Sequence, residues 1–477
     1  MTKKNIILIM TDQFRPDYVG YGKNSGISTP GINRVAEGIS FSRCQTPNPI
    51  CLPARSALIT GRYSHQVGAL AMSGELSLQY PTFPRALQKA GYTTSLIGKL
   101  HLMQAWNFAT TARGEGYNLV KMNDTVKKYG FDHVWEVGGK QLSRRNYCEY
   151  CEYLEKNGVM EEFRDFVDTH PSPNRIAANV KNDVVEPFPL SDEYYVDNVI
   201  GDKVIEFIEN QCSKNQSQAP FFLQASFCCP HTPIDPPKSY LEKEALICDE
   251  IIGGNTYSDE VKNKIYELRR AYRAMIKLVD HQISRIFETL EERDLLKDTV
   301  VIFSADHGDT LGDHNYFGKS LPYYQSAGIP CAIRHPDYPG MGENSSPISL
   351  IDIAATILDI AGLDNSAISK DWPDFNDRIP AKSLMPIISG ERDKVHDYVF
   401  SECDATWYMI ISENYKYIKY PSPGNPDGYR EELFELNDKP ETVNLIDRAD
   451  LSQIITWHCN RLNHELETTP CGQTNNA

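Results

Sequence analysis

Apolar runs alternate with helical patterns along most of the chain. Asn5 to Met10 is a continuous Ile-rich run, and Gly91–Ile97, Pro220–Phe227 and Thr299–Ser304 look similar. Runs of this length without polar alternation predict strands covered on both faces. Between them the spacing predicts helices over Ser56–Thr60, Thr82–Ala90, Asp197–Asn210 and Val261–Glu292. In the last of these, Leu268, Ala271, Tyr272, Met275, Leu278, Val279, Ile283, Ile286, Phe287 and Leu290 recur close to a helical period. Strands alternating with helices predict an α/β domain with a mixed, mainly parallel sheet.

The texture changes twice. Residues 105–195 are rich in charge and aromatics without clear periodicity, which predicts an insertion or lid. Asp364 to Pro380 reads as a loop. Beyond it Tyr398–Glu402, Trp407–Ile411, Tyr415–Tyr420 and Glu432–Leu436 read as short strands, followed by a helix near Leu451–Leu466. This pattern predicts a catalytic α/β domain over residues 1–373 and a small α+β domain with an antiparallel sheet over residues 374–477.

With 477 residues the chain can bury a large core and divide into two domains. A charged fraction of 23% is ordinary for a globular protein. The net charge of −16 argues against nucleic acid as a partner. It leaves an anionic substrate open, because a few local cations reverse the field inside a cleft. No run is long enough to span a membrane, and the first apolar run ends on Asp12 and reads as a strand rather than a signal peptide. Twelve cysteines without a secretory signal predict reduced thiols and a cytoplasmic protein. Cys148-x-x-Cys151 has metal or redox spacing but stands without a second pair, and Cys228-Cys229 reads as buried packing.

Polar residues repeatedly follow strands: Asp12-Gln13, Lys99 and His101, His231, and Asp306-His307. Ligand sites of open α/β sheets form at the carboxyl ends of strands, so four segments deliver charged or metal-binding groups to one edge. Asp12, Gln13, Asp306 and His307 form a credible set for a divalent cation. Each acid alone could equally be a helix cap or turn residue.

Cys51-Leu-Pro-Ala-Arg55, continuing to Gly61-Arg62, resembles the sulfatase signature, in which the cysteine is oxidised to formylglycine (3-oxoalanine). Five further stretches resemble sulfatase elements in the family's order: Asn5–Gln13, Gly98-Lys-Leu-His101, Pro230-His-Thr-Pro233, Ser304–Gly308 with Leu311–His314 and Gly318-Lys319, and Glu432–Leu436 with Glu441–Leu445. The resemblance is to the sulfatase branch of the alkaline phosphatase superfamily and covers nearly the whole chain. It implies an alkaline-phosphatase-like sheet sandwiched by helices and a sulfuric ester hydrolase. It implies a hydrated formylglycine at position 51 that serves as metal ligand and nucleophile, matured by a formylglycine-generating enzyme. Its second hydroxyl would release sulfate from the sulfated intermediate. By the same resemblance Arg55 holds the hydrate, while Lys99, His101, His231 and Lys319 surround the sulfate. His231 would protonate the leaving alcohol and His101 would assist the second hydroxyl. The metal ligands implied are Asp12, Gln13, Cys51, Asp306 and His307, with calcium the family's ion.

Two departures matter. Many sulfatases carry two acids where this chain has Asp12-Gln13, and Asn where it has His307. Manganese, magnesium or zinc therefore stays open. The same combination occurs in phosphonate monoester and phosphodiester hydrolases that use the same modified cysteine, and that is the rival reading. A phosphomonoesterase or phosphate mutase would want Ser or Thr as nucleophile and more acids. A non-enzymatic relative would be expected to lose Cys51, Arg55 or a ligand, and none is lost. The expected substrate is a small sulfate ester, foremost a sulfated saccharide, with Trp106, Arg144, Arg145, Trp407 and Tyr408 as candidate contacts. His65 and His314 are weaker candidates for the pocket. A homo-oligomer is left open.

Overall fold

The computed structural model describes residues 3–22, 26–72, 74–103, 117–143, 146–169, 185–213, 219–369, 378–421, 430–436 and 440–471. Trp106, Arg144, Arg145 and the expected boundary between 373 and 374 lie outside the described residues, as does part of the 105–195 segment.

Nine strands form the main sheet: β1 (Asn5–Asp12), β2 (Ile39–Gln45), β3 (Thr93–Gly98), β4 (His133–Glu136), β5 (Phe221–Pro230), β6 (Thr299–Ala305), β7 (Gly328–Arg334), β8 (Gly342–Asn344) and β9 (Ile348–Ser349). Their order is β4-β3-β5-β1-β6-β7-β2-β8, with β9 also paired to β2. β1 is parallel to β5 and β6, and β3 to β4 and β5, whereas β7 runs antiparallel to both its neighbours. Every other strand therefore ends at the same edge of the sheet. β5 and β6 are buried along their whole length, so helices must cover both faces of the sheet there. The helix Asp259–Glu292 packs with Val196–Ser213 and Pro30–Ala36, and a second group contains Cys51–Thr60, Phe83–Lys89 and Asp352–Ile360.

The expected strands are present with bounds that differ by at most about three residues at either end, and Tyr415–Tyr420 forms a strand over the very residues expected. The Cys51 helix begins five residues earlier than the apolar spacing predicts. Pro53 falls in its first turn, where no intrahelical donor is needed, so the proline does not delay the start. The 105–195 segment is more than an insertion, since its β4 forms the edge of the main sheet in register with β3.

A second sheet is antiparallel, in the order β10 (Tyr398–Cys403), β11 (Trp407–Ser412), β12 (Tyr415–Tyr420) and β13 (Arg430–Glu435). The helix Ser452–Thr468 packs against β11 and β12. Among the described residues no helix is long and apolar enough to cross a membrane.

Candidate functional site

The sheet's topology brings the strand ends together. Asp12 closes β1, Lys99 and His101 follow β3, His231 follows β5, and Asp306 and His307 follow β6. Cys51 follows β2 and is the first residue of a ten-residue helix buried throughout. Its sulfur therefore sits at a helix N-terminus, where free N–H groups favour negative charge. Gly98 makes the close approach that places Lys99. Its φ is +103°, and a Cβ there would stand 1.9 Å from the Ser226 carbonyl oxygen. That same carbonyl accepts the Lys99 N–H at 2.9 Å.

Donor atoms of Asp12, Cys51, Asp306 and His307 lie within 4.8 Å of one another, all fully buried. The Cys51 sulfur is 3.1 Å from His307 Nε2 and 3.7 Å from Asp12 Oδ1. His307 Nδ1 faces the Gly308 carbonyl at 2.9 Å. A carbonyl only accepts, so Nδ1 carries the proton and a neutral ring turns the Nε2 lone pair to the cluster. Burial holds His307 down at about 4, so the ring is neutral at physiological pH. Burial pushes the Asp12 carboxyl up, but Lys99, His231, Arg55 and Lys319 outweigh it and hold it well below the usual range. For Asp306, Arg55 and Lys99, joined by His307 where its ring is protonated, overcome burial and Asp12 in the same way. Two carboxylates and one imidazole lone pair fit a divalent cation.

Gln13 reaches the cluster differently. Its backbone N–H donates to Asp306 Oδ1 at 3.1 Å, while its side-chain amide nitrogen donates to Asp309. Only its carbonyl oxygen is left as a donor to a metal. Gln13 and His101 both adopt left-handed backbone, with φ of 65° and 59°. Such residues occur where the surroundings over-determine the backbone, and here they turn strand ends into the site.

Cations surround the cluster. Lys319 Nζ is 2.6 Å from the Cys51 sulfur, and Lys99 pairs with Asp12. The Arg55 guanidinium donates to Asp306 at 2.7 Å, to the Lys99 carbonyl at 2.6 Å and to Ser226 Oγ at 3.0 Å. Its remaining nitrogen has no hydrogen-bond partner. A cavity adjoining the cluster is lined by Asp12, Lys99, His101, Lys140 and His231, among others. Among the described residues both ring nitrogens of His101 are buried without a hydrogen-bond partner. Burial, then Lys99 and Arg55, push its basicity well down, so the ring stays neutral. A polar ring so placed is ready to bond a ligand.

Other expected contacts lie elsewhere. His65 binds Glu402 and Thr469. His314 stacks on Tyr323 with centroids 3.9 Å apart and reaches Gln325. Trp407 is buried in a core cluster with its N–H on the Ser320 carbonyl, and Tyr408 packs against the neighbouring cluster. The Cys148 and Cys151 sulfurs are 3.5 Å apart as free thiols. Sequence reasoning passed over Asp309, which accepts from Leu311 and Gly318 as well as Gln13 and so shapes the loop after β6. It also passed over Ser226, Glu136 and Lys140. The one local signal for Asp309 is its place directly after Asp306-His-Gly308.

A family model described as Sulfatase matches residues 4–363, and one described as N-sulphoglucosamine sulphohydrolase, C-terminal, matches residues 312–468. The chain is 28% identical over 503 aligned positions to an arylsulfatase of Clostridium perfringens, covering 99% of this chain and 96% of that one. It is 25% identical to an N-acetylglucosamine-6-O-sulfatase of Bacteroides thetaiotaomicron, covering 88% of this chain and 75% of the relative. The phosphonate monoester hydrolase of Agrobacterium radiobacter has a similar fold, with a TM-score of 0.76 at 20% identity over 99% of this chain and 97% of the other.

Proposed function

This chain belongs to the sulfatase family and is a sulfuric ester hydrolase, and we propose that it removes sulfate from a small sulfated saccharide through a formylglycine made from Cys51. The observation that carries this reading is the placement of Cys51. It begins a buried helix, its sulfur faces Lys319 and His307, and donor atoms of Asp12 and Asp306 lie within 4.8 Å. The similarity to an N-acetylglucosamine-6-O-sulfatase supports a saccharide as the carrier of the sulfate.

As a hydrated aldehyde, residue 51 would supply one hydroxyl to attack sulfur and a second through which the enzyme sheds sulfate. A divalent cation held by Asp12, Asp306, His307, residue 51 and the Gln13 carbonyl oxygen would lower the pKa of that hydroxyl. Calcium is the first candidate, with magnesium, manganese and zinc as alternatives. Lys99 and Lys319 bind sulfate oxygens and stabilise the charge that builds on them. His231 gives its proton to the leaving oxygen. His101, neutral, lining the cavity and without a hydrogen-bond partner among the described residues, takes the proton of the second hydroxyl. Arg55 fixes Asp306 and the Lys99 backbone, and its remaining nitrogen, 3.7 Å from Asp12 Oδ2, would hold the hydrate of residue 51.

The test is an assay of protein co-expressed with a formylglycine-generating enzyme on an aryl sulfate and an aryl phosphonate monoester side by side, with Cys51→Ala as control. Preferential sulfate release that is lost in Cys51→Ala supports the reading, and a panel of sulfated mono- and disaccharides then identifies the carrier. Preferential phosphonate cleavage moves the enzyme to the rival chemistry, for which Gln13 and His307 are the residues to exchange. Wild-type rates in Cys51→Ala remove the mechanism.

A further inference from the structure

His231 sits on a short turn after β5, between cis-linked Cys229–Pro230 and Thr232–Pro233. Among the described residues the hydrogen bonds of its ring stay within that turn: Nδ1 faces the Thr232 carbonyl at 2.8 Å and lies 3.5 Å from the Thr232 hydroxyl. The ring can be no better placed than the turn is.

The turn is gripped from both ends by buried polar groups. On the strand side, Asp197 accepts the backbone N–H groups of Cys228 at 2.6 Å and Cys229 at 3.3 Å. On the far side stands Lys140, the first residue of the short helix Lys140–Ser143. Its Nζ donates to the Pro233 carbonyl at 2.7 Å, to Asp235 Oδ1 at 2.6 Å and to the Tyr195 hydroxyl oxygen at 3.1 Å. Tyr195 closes the group with its own bond to Asp235 at 3.2 Å and a contact to the Cys229 sulfur at 3.2 Å.

Lys140 lines the same cavity as Lys99, His101 and His231. An ammonium has three N–H groups, and all three are spent inside the protein, so this lysine does not serve as a sulfate ligand. Packing alone would not require a charge here. A buried ammonium is costly unless it is fully paired, and a methionine would fill the same volume. What the ammonium adds is geometry, because one atom joins a carbonyl and a carboxylate two residues apart to the wall of the cavity. Gly139 continues that wall, and a Cβ there would stand 3.8 Å from Lys99 Nζ.

We propose that Lys140 is a positioning residue of this active site: by tying Pro233 and Asp235 to the cavity wall it fixes where His231 meets the leaving oxygen. The proposal rests on His231 as the proton donor. Lys140 itself touches neither substrate nor the reacting atoms.

A proton donor matters most when the leaving group is a poor one, so the test compares 4-nitrophenyl sulfate with phenyl sulfate. The variants are Lys140→Met, the double variant Lys140→Met/Asp235→Leu, and His231→Gln. Each is co-expressed with a formylglycine-generating enzyme and normalised to the formylglycine content of the residue 51 peptide by mass spectrometry. The double variant removes both buried charges together, which proteins tolerate better than an unpaired one. The expected result is a kcat loss roughly tenfold larger on phenyl sulfate than on 4-nitrophenyl sulfate in all three. Equal losses on the two esters in the Lys140 variants, with discrimination kept by His231→Gln, overturn the proposal and leave the donor intact. Unchanged rates in a folded Lys140 variant overturn it as well. If His231→Gln fails to discriminate, the donor assignment falls first and the role given to Lys140 falls with it.

Discussion

His307 Nε2 stands 3.1 Å from the Cys51 sulfur while the opposite ring nitrogen is fixed on the Gly308 carbonyl at 2.9 Å. The backbone bond selects the tautomer, and the tautomer aims a lone pair at the residue proposed to carry the chemistry. Treatment with EDTA is accordingly expected to abolish sulfatase activity, and single-metal add-back to restore it for the native ion. His307→Ala should lose metal by elemental analysis, with affinity down by about ten- to a hundredfold or more. Full activity after exhaustive chelation, with no metal found in the protein, would count against a cation at this site.

Arg55 joins three segments through one guanidinium: Asp306 after β6, the Lys99 carbonyl after β3, and Ser226 in β5. Removing it leaves Asp306 buried beside Asp12 without its nearest cation. Arg55→Met should therefore cost about 3–5 kcal/mol of stability along with activity. Arg55→Lys should recover only part of it, since an ammonium cannot span the three acceptors as a planar fork does. Urea unfolding of the three proteins checks this, and equal midpoints would show that Arg55 does not hold the strand ends together.

The sheet's centre was legible because β1, β5 and β6 are dominated by apolar residues without a polar alternation, Gln224 and Ser226 being the two polar positions inside β5, as burial on both faces demands. β2 and β4 were not. Ile39–Gln45 mixes Ser and Arg into a short strand, and His133–Glu136 is a four-residue edge strand inside a stretch without periodicity. Their pairing is set by neighbours far along the chain, which no local pattern encodes. The candidate site was readable wherever a chemically distinctive residue directly follows a strand, as with Asp12, Lys99 and Asp306. What escaped were residues defined by their partners. Asp235 is 95 residues from Lys140, Asp309 is 296 from Gln13, and only the fold makes either pair visible.

Glu136 closes β4 and accepts a hydrogen bond from the His101 backbone, with one carboxyl oxygen unpartnered. Burial pushes it from 4.5 up to about 8, against the pull of His101 and Arg55. The unfolded chain thus ionises this group before the folded protein does. The folded state binds the extra proton between about pH 4.5 and pH 8, so Glu136 makes stability fall as pH rises across that window. Glu136→Gln removes the penalty. Its stability relative to wild type, followed by the melting temperature, should climb from no difference near pH 4.5 to a plateau near pH 8, with a ceiling of a few kcal/mol of unfolding free energy. A difference that does not vary with pH would show that the carboxyl is already ionised in the folded protein.

His65 follows the Cys51 helix and joins it to distant parts of the chain. Its Nδ1 is 2.8 Å from Glu402 in β10, and its Nε2 is 2.6 Å from the Thr469 carbonyl beyond the last helix. A carboxylate and a carbonyl both accept, so the ring satisfies both only when both nitrogens carry protons. Burial opposes that charge, but Glu402 and Thr469 outweigh it and raise the pKa above 6.5. A raised folded pKa means a contribution that is complete below 6.5 and is lost as pH climbs through the folded value. His65→Gln should therefore destabilise the protein most in mildly acidic buffer, by roughly 1–3 kcal/mol of unfolding free energy, with a gap in melting temperature that narrows as the wild-type ring deprotonates. The neighbouring Ser64 hydroxyl bonds the Pro53 carbonyl inside the signature helix, so the variant should also lose activity in step with this loosening. Thermal denaturation of both proteins across neutral pH decides the matter: a gap that widens with rising pH would mean a neutral ring, and the tie between the Cys51 helix and the chain's end would then rest on packing rather than on charge.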